Sequence, residues 1–583
     1  MNSRYSRQKE GNGLKKKGNI VVPFVVGLIV LLILLVGIFG YRLYQERYGY
    51  STEKADLNEY YGVRDEQDVP IVLENTLSDY HARLFDGVYY LDIDSVHEIL
   101  NDRFYYGERD GIVLYCLPDD RVATMVGSRD WSSDATGTVE EDFILARKEG
   151  ETLYLALDFV QRYTNFSYQG YTEPNRIQMD VLFEEEPIAS IQKDTSLRIS
   201  GGVKSEEVTS VKKGATVTLL EEMETWSKVK TEDGYIGYVE NKRLTGHGTR
   251  VPTPASNYEE PVFTANQMEG KVSLVWHNVA YQDGNNTIYD FLANTKALNV
   301  VSPTWFALQD ESGTVTDIGS ASYVADLHAR GIEVWPSFNN FTAFGGGIKQ
   351  EFLTSMETRA KIINQLMTAV EGYGADGINI DIESISDEYG EDYIEFIREI
   401  SIACRKKGIT LSVDNYVPYN FNDHYHLEEQ GVFADYAIIM GYDEHYAGSQ
   451  EPGSVASIDY VTNGILNTVQ KVPAEKVVNA VPFYTRIWTS NANGTSSIAV
   501  GMQQAKNYIA EKGMSVAWSE TYGQNYSEAT FGSDVVRIWL EDAESIRLKL
   551  SVMAANELAG VGAWQLGFET PDIWDEIEAY LQY

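Results

Sequence analysis

A chain of 583 residues is too long for one hydrophobic core, and ordinary domain sizes divide it into roughly three to five units. Its 47 Lys plus Arg against 86 Asp plus Glu leave a formal net charge of -39, which repels nucleic acid and excludes it as a partner. Only two cysteines, Cys116 and Cys404, are present and far apart, which excludes a disulfide framework.

Residues 1–19 form a basic tail carrying Arg4, Arg7, Lys9 and Lys15 to Lys17. Residues 20–40, IVVPFVVGLIVLLILLVGIFG, supply about the twenty apolar residues that cross a bilayer as a helix. Positive charge ahead of the span holds that end in the cytoplasm, and no A-x-A cleavage pattern follows it. The expectation is an uncleaved transmembrane signal anchor in the cell membrane, single-pass, with all later domains extracellular. Residues 41–65, polar and tyrosine-rich without an apolar period, read as a stalk linker.

An internal repeat marks residues 66–189. VYYLDIDSVHEIL at Val88 is echoed by TLYLALDFVQRYT at Thr152, with Tyr90, Leu91, Asp94 and Val96 matching Tyr154, Leu155, Asp158 and Val160 at one offset. A duplicated strand and helix follows, an α+β domain that resembles the copper amine oxidase N-terminal-like domain. Without a His or Cys cluster it reads as a structural or wall-contacting spacer. Residues 190–247 hold short β-rich runs parted by turns such as Asp233-Gly234, a small all-β barrel. With Gly214, Trp226, Gly234, Gly237, Tyr238 and Val239 in place, it resembles a bacterial SH3-like domain. That resemblance implies binding of peptidoglycan; a packing spacer without ligand is the alternative. Residues 248–268 read as a linker.

From 269 to 583, eight strand-like runs alternate with helical patterns: KVSLVWHNV, LNVVSPTWFAL, IEVWPSF, DGINIDIE, ITLSVDN, YAIIMGYD, VVNAVPFY and VGAWQLGF. The alternation predicts a (β/α)8 TIM barrel. Between them, AKIINQLMTAVEGYG sets Ile362, Ile363, Leu366, Met367 and Val370 on one helical face. In GADGINIDIESI, Ile378, Ile380 and Ile382 alternate with Asn379, Asp381 and Glu383. On a strand of such a barrel the three polar groups point inward and step toward the carboxyl end, where barrel chemistry sits. Neighbouring carboxyls about 6.6 Å apart along the strand cannot both ionise easily, so Glu383 is a candidate general acid at neutral pH. Paired carboxylates also occur in metal sites and structural ion pairs.

This segment resembles the DGxDxDxE signature of glycoside hydrolase family 18, with Asp376, Gly377, Asp381 and Glu383 in register and Asn379 in place of the first inner aspartate. MGYD at Met440, PFYTRIW at Pro482 and GVGAWQLG at Gly560 are similar to three further family blocks, in order. The resemblance implies Glu383 as general acid and base, Asp381 as the group that orients the 2-acetamido function, and Tyr442 as donor to its carbonyl. It also implies Trp564 as the floor under the sugar and Asp443 and Arg486 as sugar contacts; a structural pair at the rim is the alternative for the last two. No metal or organic cofactor is implied. Asn379 cannot share a proton with Asp381 as an aspartate does, and WPSFNNF stands where the family's SxGG block belongs. With RIWLEDAES at Arg537, these departures resemble the spore-cortex and peptidoglycan N-acetylglucosaminidases. The implied activity is retaining, substrate-assisted hydrolysis of β-1,4 bonds after N-acetylglucosamine in cell-wall glycans. A chitinase, a glycan-binding barrel without turnover and a wall scaffold are the alternatives.

Overall fold

The structure, a computed structural model, describes residues 21–254, 258–341 and 350–582; the basic tail 1–19 lies outside the described residues. The chain divides into two compact units, Met1–Leu91 with Gln161–Tyr258, and Asp92–Val160 with Glu259–Tyr583.

In the first unit the apolar run and the residues after it form one helix, α1 (Val21–Tyr48). At 1.5 Å per residue it is about 42 Å long, against a hydrocarbon layer of about 30 Å. Its apolar side chains are exposed all round, so by length and composition it is able to cross a membrane. The next residues are fastened to the small β-barrel. Asp56 caps the short helix Leu57–Tyr61 by accepting from the Asn58 amide at 2.9 Å. Tyr61 then donates to the Gly234 carbonyl at 3.0 Å, while the Tyr60 hydroxyl donates to Ile236 O at 2.5 Å and accepts from Ile236 N at 3.0 Å. The barrel itself is an antiparallel seven-stranded sheet over residues 186–250, closed on a core that includes Ala189, Leu197, Val229 and Val239. The 66–189 region is divided between the units, with residues 92–160 in the second; a strand is followed by a short helix at both repeats, Val88–Asp92 then Ile93–Ile99, and Thr152–Ala156 then Leu157–Val160.

The second unit is built on the TIM barrel. Its strands are β1 (Val272–His277), β2 (Val300–Pro303), β3 in two pieces (Glu333–Val334 and Ser337–Asn339), β4 (Gly377–Asp381), β5 (Thr410–Tyr416), β6 (Tyr436–Met440), β7 (Val477–Pro482) and β8 (Gly560–Trp564). All eight expected strands are present and parallel. The first piece of β3 pairs with β2 and the second with β4, and β8 pairs with β1, which closes the ring. Gly377 opens β4 because a Cβ there would stand 2.6 Å from the Trp335 ring and 2.8 Å from the Thr410 carbonyl.

Helix α2 (Met356–Tyr373) starts on the Ser355 cap and stops at Gly374, which takes φ 72. It buries Ile362, Ile363, Leu366, Met367 and Val370 against the same core as Ile378, Ile380 and Ile382, so the apolar side of β4 faces the helices. Between β7 and β8 the chain inserts an antiparallel five-stranded sheet over residues 484–540 with the helix Met502–Lys512. A second five-stranded antiparallel sheet, over residues 105–140, packs on α2 and α3 (Gly390–Lys407) through charged groups. Arg121 bonds Glu399 at 2.9 Å, Arg103 bonds Glu429 at 2.9 Å, and the Cys116 thiol donates to Glu395 at 3.3 Å. Cys116 and Cys404 are both free and buried.

Candidate active site

A cleft of about 1050 Å³ opens at the carboxyl end of the barrel strands. Asp381, Glu383, Tyr442, Asp443 and Trp564 line it, together with Trp276, Asp414, Tyr416 and Tyr484. Asn379 lies beneath, fully buried, and Arg486 is not among the lining residues. Among the described residues no group of three or more His, Cys, Asp or Glu side chains is arranged to hold a metal ion.

The strand alternation decides this arrangement. Because β4 turns its isoleucines to the helices, Asn379 and Asp381 point into the barrel, and Glu383 follows two residues beyond. Strand β5 runs beside it in parallel with Asn379 opposite Ser412, so Ser412, Asp414 and Tyr416 form a second inward row. Asn379 Oδ1 accepts from Trp276 Nε1 at 3.0 Å and Ser302 Oγ at 3.3 Å; its Nδ2 donates to Ser412 Oγ at 3.1 Å and Asp414 Oδ1 at 2.8 Å. All four hydrogen bonds of one amide are thereby used.

Burial raises the Asp381 carboxyl well above the usual carboxylate range, and the like charges of Asp414 and Glu383 add to the shift. Its Oδ1 is sealed from solvent without a hydrogen-bond partner. Asp414 is raised for the same first reason, opposed by the Asn379 amide and reinforced by Glu383. Glu383 is also raised, by burial first; the Tyr416 hydroxyl, donating to Oε2 at 2.5 Å, pulls it down and Asp443 pushes it up. A carboxyl held above its usual range at the lip of a cleft is better equipped to donate a proton.

The backbone is braced to hold Glu383 there. Asn340, 2% exposed, accepts from the Glu383 amide at 3.0 Å and donates to its carbonyl at 2.9 Å. Gln350 holds the next turn, donating to the Ser384 carbonyl and accepting from the Ser386 amide at 2.9 Å. Ser384 sits at φ 59 and Asp443 at φ 58, left-handed conformations that cost a non-glycine residue ~1–2 kcal/mol each. Tyr484 donates to Asp443 at 2.6 Å, and no ion pair joins Asp443 to Arg486, whose Nη1 bonds Ser497 at 3.1 Å. Tyr442 and Tyr484 pack edge to face at 6.3 Å, and the Trp276 and Trp564 rings lie 6.2 Å apart. At the foot of β4, Asp376 accepts from His328 at 2.8 Å and from the Val334 amide at 2.8 Å, away from the cleft.

The residues that sequence reasoning passed over are Asp414, Tyr416, Asn340 and Tyr484. The first two carried a usable signal, since the alternation that singled out Asp381 and Glu383 recurs in TLSVDNY. A test of the burial cost follows from the sign of the shifts. A carboxyl with a raised folded-state pKa lends its full stability below the unfolded value, near 4, and loses it as pH rises through the folded value. Asp381→Asn is therefore expected to stabilise the protein by on the order of 1 kcal/mol at pH 7–8, with the gain vanishing near pH 4. Thermal melts across that range check it; an equal gain at both ends would refute the assignment.

A family model described as Glycosyl hydrolases family 18 matches residues 274–569, and one described as Bacterial SH3 domain matches residues 193–245. The chain is similar to the uncharacterized glycosylase YvbX of Bacillus subtilis (strain 168), 24% identical over 330 residues, which are 53% of this chain and 92% of that relative. It is similar to the cortical fragment-lytic enzyme of the same organism, 25% identical over 247 residues, 40% of this chain and 56% of the relative, so less than two thirds of the latter is spanned. Among solved structures, the Bacillus cereus spore cortex-lytic enzyme SleL matches with a TM-score of 0.48 at 19% identity, covering 57% of this chain and 78% of that one.

Proposed function

Since the chain belongs to glycoside hydrolase family 18, we propose that its barrel hydrolyses β-1,4 bonds after N-acetylglucosamine in peptidoglycan or a related wall glycan. The observation that carries this reading is the placing of Asp381 and Glu383 two residues apart on one strand edge, both facing the cleft. Two acids on one side of a sugar cannot flank its anomeric carbon, so the nucleophile is the substrate's own 2-acetamido oxygen, a recognised departure from the two-carboxylate scheme. Glu383 gives its proton to the departing glycosidic oxygen as the acetamido carbonyl bonds to C1 and the C1–O bond breaks. Asp381, as a carboxylate, faces the acetamido N–H and offsets the positive charge of the oxazoline-type intermediate. Tyr442 donates to the acetamido oxygen, Trp564 underlies the ring and Asp443 raises Glu383 from the rim. Water then attacks C1 as the C1–O bond to the acetamido oxygen breaks and the amide is restored, Glu383 takes the water's proton, and the configuration at C1 is retained.

The name of one relative, cortical fragment-lytic enzyme, favours a wall glycan over chitin. The SH3 domain is assigned to peptidoglycan contact and α1 to anchoring the enzyme in the cell membrane, with the catalytic unit outside. The full chain in detergent, incubated with purified peptidoglycan and with chitin oligomers and analysed by mass spectrometry, tests the reading. Muropeptides with reducing N-acetylglucosamine ends support it; cleavage of chitin oligomers alone makes the enzyme a chitinase, and binding without cleavage makes the barrel a glycan receptor.

The Tyr416 bond to Glu383 tunes this acid. Its loss in Tyr416→Phe removes the donor that favours the ionised carboxylate, so the alkaline limb of the pH–kcat/KM profile is expected to move to higher pH. A limb that stays in place would show that another group sets it.

A further inference from the structure

We propose that Asp414 is the proton-sharing partner of Asp381, the part that Asn379 cannot play because an amide neither gains nor loses a proton. The inference rests on the glycosidase reading only for the role of Asp381. Its basis is the orientation of Asn379. Trp276 and Ser302 occupy the amide oxygen, so the nitrogen is obliged to face Ser412 and Asp414, and Asp414 Oδ1 is fixed as an acceptor. Any proton on Asp414 therefore sits on its other oxygen.

The register extends this pairing. Asn379 lies opposite Ser412 and Ile380 opposite Val413, so one step on brings Asp381 level with Asp414, both inward. Asp414 is 3% exposed, and Asp381 Oδ1 is sealed and unpartnered. Among the described residues, the titratable groups facing Asp414 are Asp381 and Glu383 from β4, Tyr442 from the end of β6 and Tyr393 from α3, with no Lys, Arg or His among them. Two buried carboxyls without a cation hold one proton between them. When the acetamido N–H arrives, the O–H bond on Asp381 breaks as one forms on Asp414. The pair keeps a single negative charge, which moves to Asp381 beside the developing cation.

Asp414 is thus a positioning residue, and its test reads proton state as well as rate. In the full chain in detergent, with a 4-methylumbelliferyl glycoside of an N-acetylglucosamine oligomer as substrate, Asp414→Asn is expected to lower kcat about tenfold, less than the ~10²–10⁴-fold of losing a proton-transferring group, with KM unchanged. The acid limb of the profile moves to lower pH, because Asp381 loses a like-charged neighbour. The exchange Asn379→Asp with Asp414→Asn returns the acid limb and most of the rate. An unmoved limb, or a double variant no better than the single one, overturns the proposal. Infrared titration of the carboxyl band decides it without turnover: Asp414→Asn should lose a protonated carboxyl at neutral pH, and titration identical to wild type refutes sharing. If Asp414→Asn does not fold, Asp381→Asn serves in its place, with the Asp414 band expected at lower pH. A shared proton with no cleavage of any glycan would retain the pair and reject the glycosidase reading.

Discussion

Glu383→Gln is expected to lower kcat by about 10²–10⁴-fold while glycan binding persists. Glutamine keeps the shape of the side chain and can still accept from Tyr416, so the bracing by Asn340 and Gln350 is undisturbed. What it removes is the dissociable proton of Glu383 at the lip of the cleft. Asp381 is not placed to take over, because its Oδ1 is sealed and the proposed mechanism needs it negative while Glu383 is neutral. Initial rates on a chromogenic oligosaccharide and calorimetric titration with an uncleaved one separate the two effects. Loss of binding along with rate would mean that Glu383 holds the sugar; a rate within a few fold of wild type would transfer the acid role to another residue.

Much of this site was legible because a strand advertises its two faces. The alternation of Ile378, Ile380 and Ile382 with Asn379, Asp381 and Glu383 gave direction to each side chain before any coordinates. Eight such runs, each followed by a helical pattern, were enough for the barrel. Asp414 was harder, since nothing in ITLSVDN says which residue of β4 it meets. Register between strands is a long-range property, and only the pairing of Asn379 with Ser412 turns a lone aspartate into the neighbour of Asp381. The charged stripe of α3 misleads in another way. Glu395, Arg398 and Glu399 fall at helical spacing and look like a solvated face, yet all three are buried under the sheet of residues 105–140. The partners of Glu395 and Glu399 across that sheet, Cys116 and Arg121, stand far away in the chain, beyond the reach of any local pattern.

That buried interface carries the second large effect. Arg359 is 0% exposed; its Nε donates to Glu399 Oε2 at 2.9 Å, and Nη1 donates to the Leu353 carbonyl at 2.6 Å and the Tyr105 hydroxyl at 3.1 Å. Arg359→Met fills most of the same space but leaves Glu399 with Arg121 alone and the Leu353 carbonyl unpaired. Breaking one partner of a buried pair costs about 3–5 kcal/mol, far more than an exposed pair contributes. The loss should also reach the site, because the short helix Gln350–Thr354 contains both Leu353 and Gln350, the residue that braces Ser384 and Ser386 beside Glu383. Urea unfolding of the full chain, followed by tryptophan fluorescence, is expected to show a midpoint well below wild type, with kcat reduced and KM little changed. Glu399→Gln should couple to it, the double variant losing less than the two single losses combined. A cost below about 1 kcal/mol, the level of an exposed pair, would mean that the 105–140 sheet rests on the barrel without stabilising it.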